Sequence, residues 1–479
     1  MKQAESKDPS TSFAALTPLR MTGIKDNIML TRINDNTKYD FSDVSLPIAE
    51  VRFPAPFASG LEYSSPARGT WNIVHTGMLV PEAHEVFVCA ASCLRGGVLT
   101  AAEIHAMHRF STVEIKEENL LDGTMEDLVI DGVSDVIAKL PYRPKAVLVY
   151  TSCVHHFTGC DLDMIYARLR ERHPDIDFTD CYMNPIMRKS GLTPDQLMRR
   201  QLYSLLKPRT LRQDALAILG GDLPTDKESE LYQMLVQAGL KVHEIHDCKT
   251  YEEYQKMAEA SVYLTYYPAA AAGAKALSER LGGEHHHFSC SFLYEEIDET
   301  VEEFARIIGK MVGEDRVARP DTAALKAQCE ERLAALKALV GDTPITVDYT
   351  VVTRPTSLAR VLISHGFNVT RLYVDGFTGE EKNDVAWLKE NAPKLLVSPT
   401  VHAKMRVFRG EPSNILAIGQ KAAYFDNTAH FVNMVQGGGL LGYTGLLKVC
   451  DLIEEAYLKE KDTRALISVK GLGCEGCIG

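Results

Sequence analysis

The chain has 479 residues, of which 45% are hydrophobic and 24% charged, with a formal net charge of -12. That length exceeds one hydrophobic core and implies several domains. The acidic balance excludes a general nucleic-acid binder, and no uninterrupted apolar run of about 18 residues offers a transmembrane helix.

The opening MKQAESKDPSTSF lacks the apolar core of a signal peptide, so a cytoplasmic location without membrane attachment is expected. The eleven cysteines then read as reduced thiols rather than a disulfide framework. Residues 1–45 are polar and mixed, an N-terminal arm with a weak strand at Ile28 to Thr31. Residues 46–70 carry Pro47, Pro54, Pro56 and Pro66 and are loop-forming. A short buried strand is expected at VFV in PEAHEVFVCAASC, and VLTAAEIHAMH continues at helical spacing. MEDLVIDGVSDVIAKL is an amphipathic helix, AVLVY a core strand of parallel type, LDMIYARLRERHP a helix and PDIDFTDCYM a strand. Thr193 and Pro194 are the N-cap and first residue of the next helix. One α/β domain therefore spans 46–208.

A second domain, 209–338, alternates strand DALAIL, helix ELYQMLVQAGL, strand KVHEIH, helix YEEYQKMAEA, strand SVYLTYY and a last strand at HHHFSCSF, followed by two connecting helices. The third, 339–479, repeats the pattern and ends with VQGGGLLGYTG feeding a helix. The fold class is α/β, with three Rossmann-like, doubly wound parallel-sheet domains. GGDLP lacks the spacing of a dinucleotide fingerprint, and no P-loop motif occurs, so any ATP must be used by a partner.

Cys89 and Cys93 lie at one strand end, and Cys153 and Cys160 at another. Open α/β sheets place ligands at such ends, and soft thiolates suit iron–sulfur clusters. Cys89 and Cys93 taken alone can equally be core thiols. Cys181, Cys248, Cys290, Cys329 and Cys450 are scattered singly and read as core residues. Cys474 and Cys477 close the chain as C-x-x-C, either a metal or redox pair or two thiols on a terminal tail. His155 and His156 read as surface residues, with hydrogen bonding beside a cluster as the alternative. Alternating strand faces should split His285, His286 and His287, and His75 and His84 are open to either reading.

Three segments carry a family resemblance: SCLRGGVLTAAE, TSCVHHFTGCDLD and GGGLLGYTGLLKVCDLIEEAYL. In their order and spacing they resemble the large-subunit proteins of nitrogenase component 1 over about residues 46–460. The resemblance implies an oxidoreductase working anaerobically in a hetero- or homo-oligomer, such as a heterotetramer. It implies an iron–sulfur cluster, 4Fe-4S or larger and P-cluster-like, shared with a homologous subunit. An ATP-hydrolysing iron protein would donate the electrons. Cys93 and Cys153 match two of the three family ligands. The first family cysteine falls near Ser64 or Ser65, so the resemblance leaves three readings: Cys89 supplies the missing thiolate, with Cys160 a further candidate, or the cluster is smaller, or other groups hold it. The Cys and His that hold a large cofactor in catalytic subunits fall near Tyr266 or Tyr267 and near Leu441. The chain is therefore a β-type subunit, with the second iron–sulfur cofactor in a partner, or a divergent branch. Reductive C–S cleavage of thioethers is the favoured reaction. Tetrapyrrole reduction, a cluster-assembly scaffold and a regulatory protein with vestigial cysteines are the alternatives.

Overall fold

The structure is a computed structural model and describes residues 44–468, apart from 68, 71, 184–190, 409 and 412. The expected N-terminal strand at Ile28 to Thr31, most of the 1–45 arm, and Cys474 and Cys477 lie outside the described residues.

Strand β1 (Leu46–Pro47) and helix α1 (Ile73–Met78) precede the first sheet. That sheet holds β2 (Ala83–Cys89), β3 (Phe110–Glu114), β4 (Ala146–Ser152) and β5 (Asp177–Met183), all parallel, in the order β3-β2-β4-β5. Its helices are α2 (Ala91–Glu103), α3 (Glu117–Leu121), α4 (Met125–Lys139), α5 (Cys153–Thr158) and α6 (Leu162–Arg172), with α7 (Pro194–Ser204) following β5. Strand β4 shows why these segments choose a parallel sheet. Every residue is buried, with Leu148 and Tyr150 in one apolar cluster and Val147 and Val149 in another, so both faces are covered.

The second sheet has the same topology. β6 (Arg212–Leu219), β7 (Lys241–Glu244), β8 (Ala260–Thr265) and β9 (Glu284–His287) run parallel in the order β7-β6-β8-β9. Its helices are α8 (Glu230–Gln237), α9 (Tyr251–Gln255), α10 (Pro268–Leu281) and α11 (Tyr294–Val312), and α12 (Thr322–Val340) leads onward. The third sheet adds β10 (Ile345–Asp348), β11 (Val369–Tyr373), β12 (Leu396–Ser398), β13 (Leu416–Ile418) and β14 (Phe431–Val432), in the order β12-β11-β10-β13-β14. Helices α13 (Pro355–Ser364), α14 (Lys382–Asn391), α15 (Gln420–Asp426) and α16 (Gly442–Leu458) complete it. Three Rossmann-like units therefore follow one another, as the alternation of apolar runs and amphipathic helices predicts.

Several local expectations need correction. Residues 46–47 do not join the first sheet: β1 pairs antiparallel with β12, and Ile48 packs in the core of the third unit. The stretch after strand SVYLTYY, for which no helix is expected above, forms α10 from Pro268 onward. Proline is tolerated at the first helical position and the alanine run favours helix. Gly273 continues α10 because a side chain there would meet the α7 backbone, 2.9 Å from the Arg200 nitrogen. The last strand of the second unit stops at His287, and helix α2 stops at Glu103 because His105 adopts a positive φ of 56°. The Thr193 cap holds as read: its hydroxyl accepts from the Gln196 N–H at 3.3 Å, and the Gln196 side chain accepts from the Thr193 N–H at 2.9 Å.

Candidate functional site

In the first unit the chain order reverses between β2 and β4, which makes their shared carboxyl end the crevice where such sheets take ligands. Parallel register sets Val88 beside Thr151, so the residues just beyond, Cys93 and Cys153, leave the sheet at the same end. Cys93 is exposed in the first turn of α2, its N–H donating to the Ala90 carbonyl at 2.9 Å. Cys153 is half-buried and is the first residue of α5.

The other two cysteines of this region differ. Cys89 ends β2 with no exposed surface, packed with Phe87, Ala101 and Phe110. Burial, with the neighbouring Cys93 thiol adding to it, pushes the Cys89 thiol up to about 12. Cys160 follows the left-handed Gly159 that ends α5, with its sulfur 3.2 Å from the Thr158 hydroxyl and its thiol raised by burial.

His155, expected at the surface, is buried, whereas His156 is exposed. The Ser152 N–H donates to His155 Nδ1 at 3.1 Å. Nδ1 also lies 3.4 Å from the Ser152 carbonyl and 3.5 Å from its hydroxyl, so the tautomer sets which of these contacts it makes. Nε2 is buried without a hydrogen-bond partner. Burial lowers the imidazole's affinity for a second proton. His155 stands two residues along the chain from Cys153, with Nε2 buried inside the fold. By the chemistry of their donors, the exposed Cys93 and half-buried Cys153 thiols are of the type that would hold part of an iron–sulfur group. Among the described residues no group of three or more His, Cys, Asp or Glu is placed to hold a metal ion.

His84 lies at the opposite end of β2 from the cysteines. Its ring nitrogens are 2.7 Å from the Tyr142 hydroxyl and 2.8 Å from Ser111, and burial lowers it to about 4, so it is a neutral core histidine. His75 is likewise buried and serves the start of α1, its Nδ1 accepting from the Asn72 N–H at 3.2 Å. The histidine tract splits as strand alternation requires. His285 and His287 share the Thr265 hydroxyl at 2.8 Å each, while His286 meets Glu284 and Glu303.

A cavity of about 650 Å³ opens where the second and third units meet, at the carboxyl ends of β8 and β10. Tyr267, Pro268, Ala269, Tyr349, Thr353 and Gln436 are among its lining residues. Tyr266 is turned away into the core, its hydroxyl 2.9 Å from the Thr225 hydroxyl, and Leu441 lines a separate small apolar cavity. No cysteine or histidine lines the large cavity among the described residues, so a cofactor held by one thiolate and one imidazole does not fit it. Two residues that organise this region escape sequence reasoning. Arg199, on α7, is buried and stacks over the Tyr267 ring at 4.3 Å. Gln436 donates from Nε2 to the Tyr267 hydroxyl at 3.1 Å. No motif marks Arg199, and Gln436 is visible only as the residue before the glycine run of VQGGGLLGYTG.

The switch crevice of the third unit is filled from within. Asp348, at the end of β10, accepts the N–H groups of Thr350 and Ala422 at 2.7 Å each and so caps α15. No phosphate can take that helix end while the carboxylate holds it.

Three Rossmann-like units, with accessible thiols at the switch point of the first, define a protein built on serial open α/β sheets. The sequence matches the family described as nitrogenase component 1 type oxidoreductase over residues 77–457, and the chain belongs to that family. Among solved structures it is similar to "Nitrogenase Cp1 at pH 6.5", with a TM-score of 0.61 at 13% identity, covering 84% of this chain and 94% of that one. It is also similar to "Nitrogenase Cp1 at pH 5", with a TM-score of 0.53 at 13% identity, covering 84% and 90%. These likenesses show the fold. No curated protein matches the chain. No helix among the described residues is long and apolar enough to cross a membrane.

Proposed function

We propose that the chain is one subunit of a nitrogenase-like, ATP-dependent reductase whose Cys93 and Cys153 hold an iron–sulfur cluster shared with a homologous subunit. A separate ATP-hydrolysing iron protein supplies low-potential electrons, and the cluster relays them to a reducible substrate, with C–S cleavage of a thioether as the favoured reaction. The observation that carries the reading is the pair of accessible thiols at the β2–β4 switch point. Cys89, packed among apolar side chains, and Cys160 are the weaker ligand candidates. Phe157 on α5 and Leu121 on α3 are 73% and 78% exposed. Apolar side chains left this open favour a partner surface covering the same end of the sheet.

The chemistry supplied by the bound cluster is one-electron transfer, and the residues of this chain anchor it by sulfur.

The reductase reading is tested by mixing the anaerobically purified complex with an iron protein and following cluster reduction. Reduction with ATP but not with ADP is expected. A cluster that stays oxidised in both, and passes instead to an acceptor apoprotein, would make the chain an assembly scaffold.

A further inference from the structure

We infer that this chain gives the shared cluster two thiolates, Cys93 and Cys153, and no third ligand. The group is then a four-iron cubane whose other two thiolates come from the partner subunit. The inference rests on the shared-cluster reading and fixes its ligand count and size, which the family resemblance leaves open.

The sheet itself sorts the four thiols gathered at the β2–β4 end. Side chains alternate faces along a strand, and Cys89 shares the face that carries Ala83 and Phe87. It is packed there with no exposed surface. Its backbone is held as well: Cys89 pairs with Glu114 on β3, and its carbonyl accepts the Ile115 N–H at 3.0 Å. Bringing that sulfur out would unzip the end of the β2–β3 ladder. Cys160 goes the other way, packing against the apolar cluster of the opposite face, which includes Val88, Val149 and Ile165. It lies beyond the far end of α5 from Cys153, its N–H donating to the His155 carbonyl at 3.0 Å. One thiol is thus drawn into each face of the sheet. Cys93, exposed, and Cys153, half-buried, are left at the open end between them.

No other group of this chain takes the third place. Ser65, at the position of the missing family cysteine, is buried and accepts from Lys421 Nζ at 3.2 Å. It therefore faces α15 of the third unit. Asp161, the carboxylate next to Cys160, caps α6 by accepting the Met164 N–H at 2.9 Å. Among the described residues no three His, Cys, Asp or Glu side chains converge as a metal site. The cluster is half-ligated by this chain, and a cubane with four cysteine ligands needs two more from one partner surface. A larger group taking three thiolates from each subunit would find only two here.

The test counts thiols in the complex purified without oxygen, before and after its iron is stripped with a chelator. Iodoacetamide labelling read by mass spectrometry should show Cys93 and Cys153 protected by iron, together with two cysteines of the partner. Cys89, Cys160, Cys474 and Cys477 should label to the same extent in both samples. The double variant Cys93→Ala/Cys153→Ala should lose about four iron atoms per pair of chains, the content of one cubane. Cys89→Ala and Cys160→Ala should each keep wild-type iron. A loss of about eight iron atoms, twice that content, would overturn the count. So would a third cysteine of this chain protected by iron. Either result leaves the shared-cluster reading standing. Iron absent from the wild type, or unchanged in the double variant, would overturn that reading and the count with it. The labelling needs no substitution, so a variant that fails to fold does not blunt it.

Discussion

Arg199→Ala is expected to destabilise the fold by about 3–5 kcal/mol, the usual cost of removing one partner of a buried ion pair. The Arg199 guanidinium has almost no exposed surface. It donates to Asp222 Oδ1 at 2.5 Å, to the Gly220 carbonyl at 2.6 Å and to Asp195 Oδ1 at 3.1 Å. Without it, Asp222, buried at the end of β6, loses its cation, and Asp195 and Tyr267 lose what fixes them at the cavity. Arg199→Lys should recover only part of the loss, because an ammonium cannot fork to three acceptors or stack on the ring. Arg199→Met combined with Asp222→Leu should be far milder than Arg199→Ala, since no charge is then stranded. Thermal unfolding of the four proteins checks this, and near-equal midpoints for wild type and Arg199→Ala would contradict it.

Gly439→Ala is the second change of large effect. Gly439 has a φ of 73°, and a Cβ built there would lie 2.0 Å from the Pro224 carbonyl oxygen. The left-handed backbone costs an alanine about 1–2 kcal/mol, and overpacking adds roughly 1–3 kcal/mol. The clash is with backbone, so the 224–226 loop must move, breaking the Asp226 N–H to Gly439 carbonyl bond of 2.9 Å that joins the second unit to the third. Gly437→Ala is the control. Its φ of 78° carries the same conformational cost, but nothing lies within 4 Å of the added carbon. Gly439→Ala should therefore unfold at the lower temperature, and equal midpoints for the two would show that the junction yields freely.

What could be read in advance follows the range of the forces involved. The strands and most helices were legible because apolar periodicity is local, and the placing of Cys93 and Cys153 followed from strand ends alone. Helix α10 does not figure among the expected elements because Pro268 and Gly273 break a helical pattern in sequence, when one is an N-terminal proline and the other a helix-packing glycine. The burial of His155 was hidden in a polar-looking VHHFTG run and is set by the short α5 folding back on β4. In the Arg199–Tyr267–Gln436 network the Gln436–Tyr267 bond alone joins residues 169 positions apart, and no local pattern encodes such a meeting. The same holds for Asp348, which closes the third unit's crevice through a bond to Ala422.

The central claim is that this chain anchors an iron–sulfur cluster through the thiols at the β2–β4 end. Iron and sulfide content, with electron paramagnetic resonance, of the complex purified without oxygen tests it most directly, comparing wild type with Cys93→Ala and Cys153→Ala. Iron and sulfide present in the wild type and lost from both variants, with the fold retained, is the predicted result. An iron-free wild type, or iron that survives both substitutions, would contradict it.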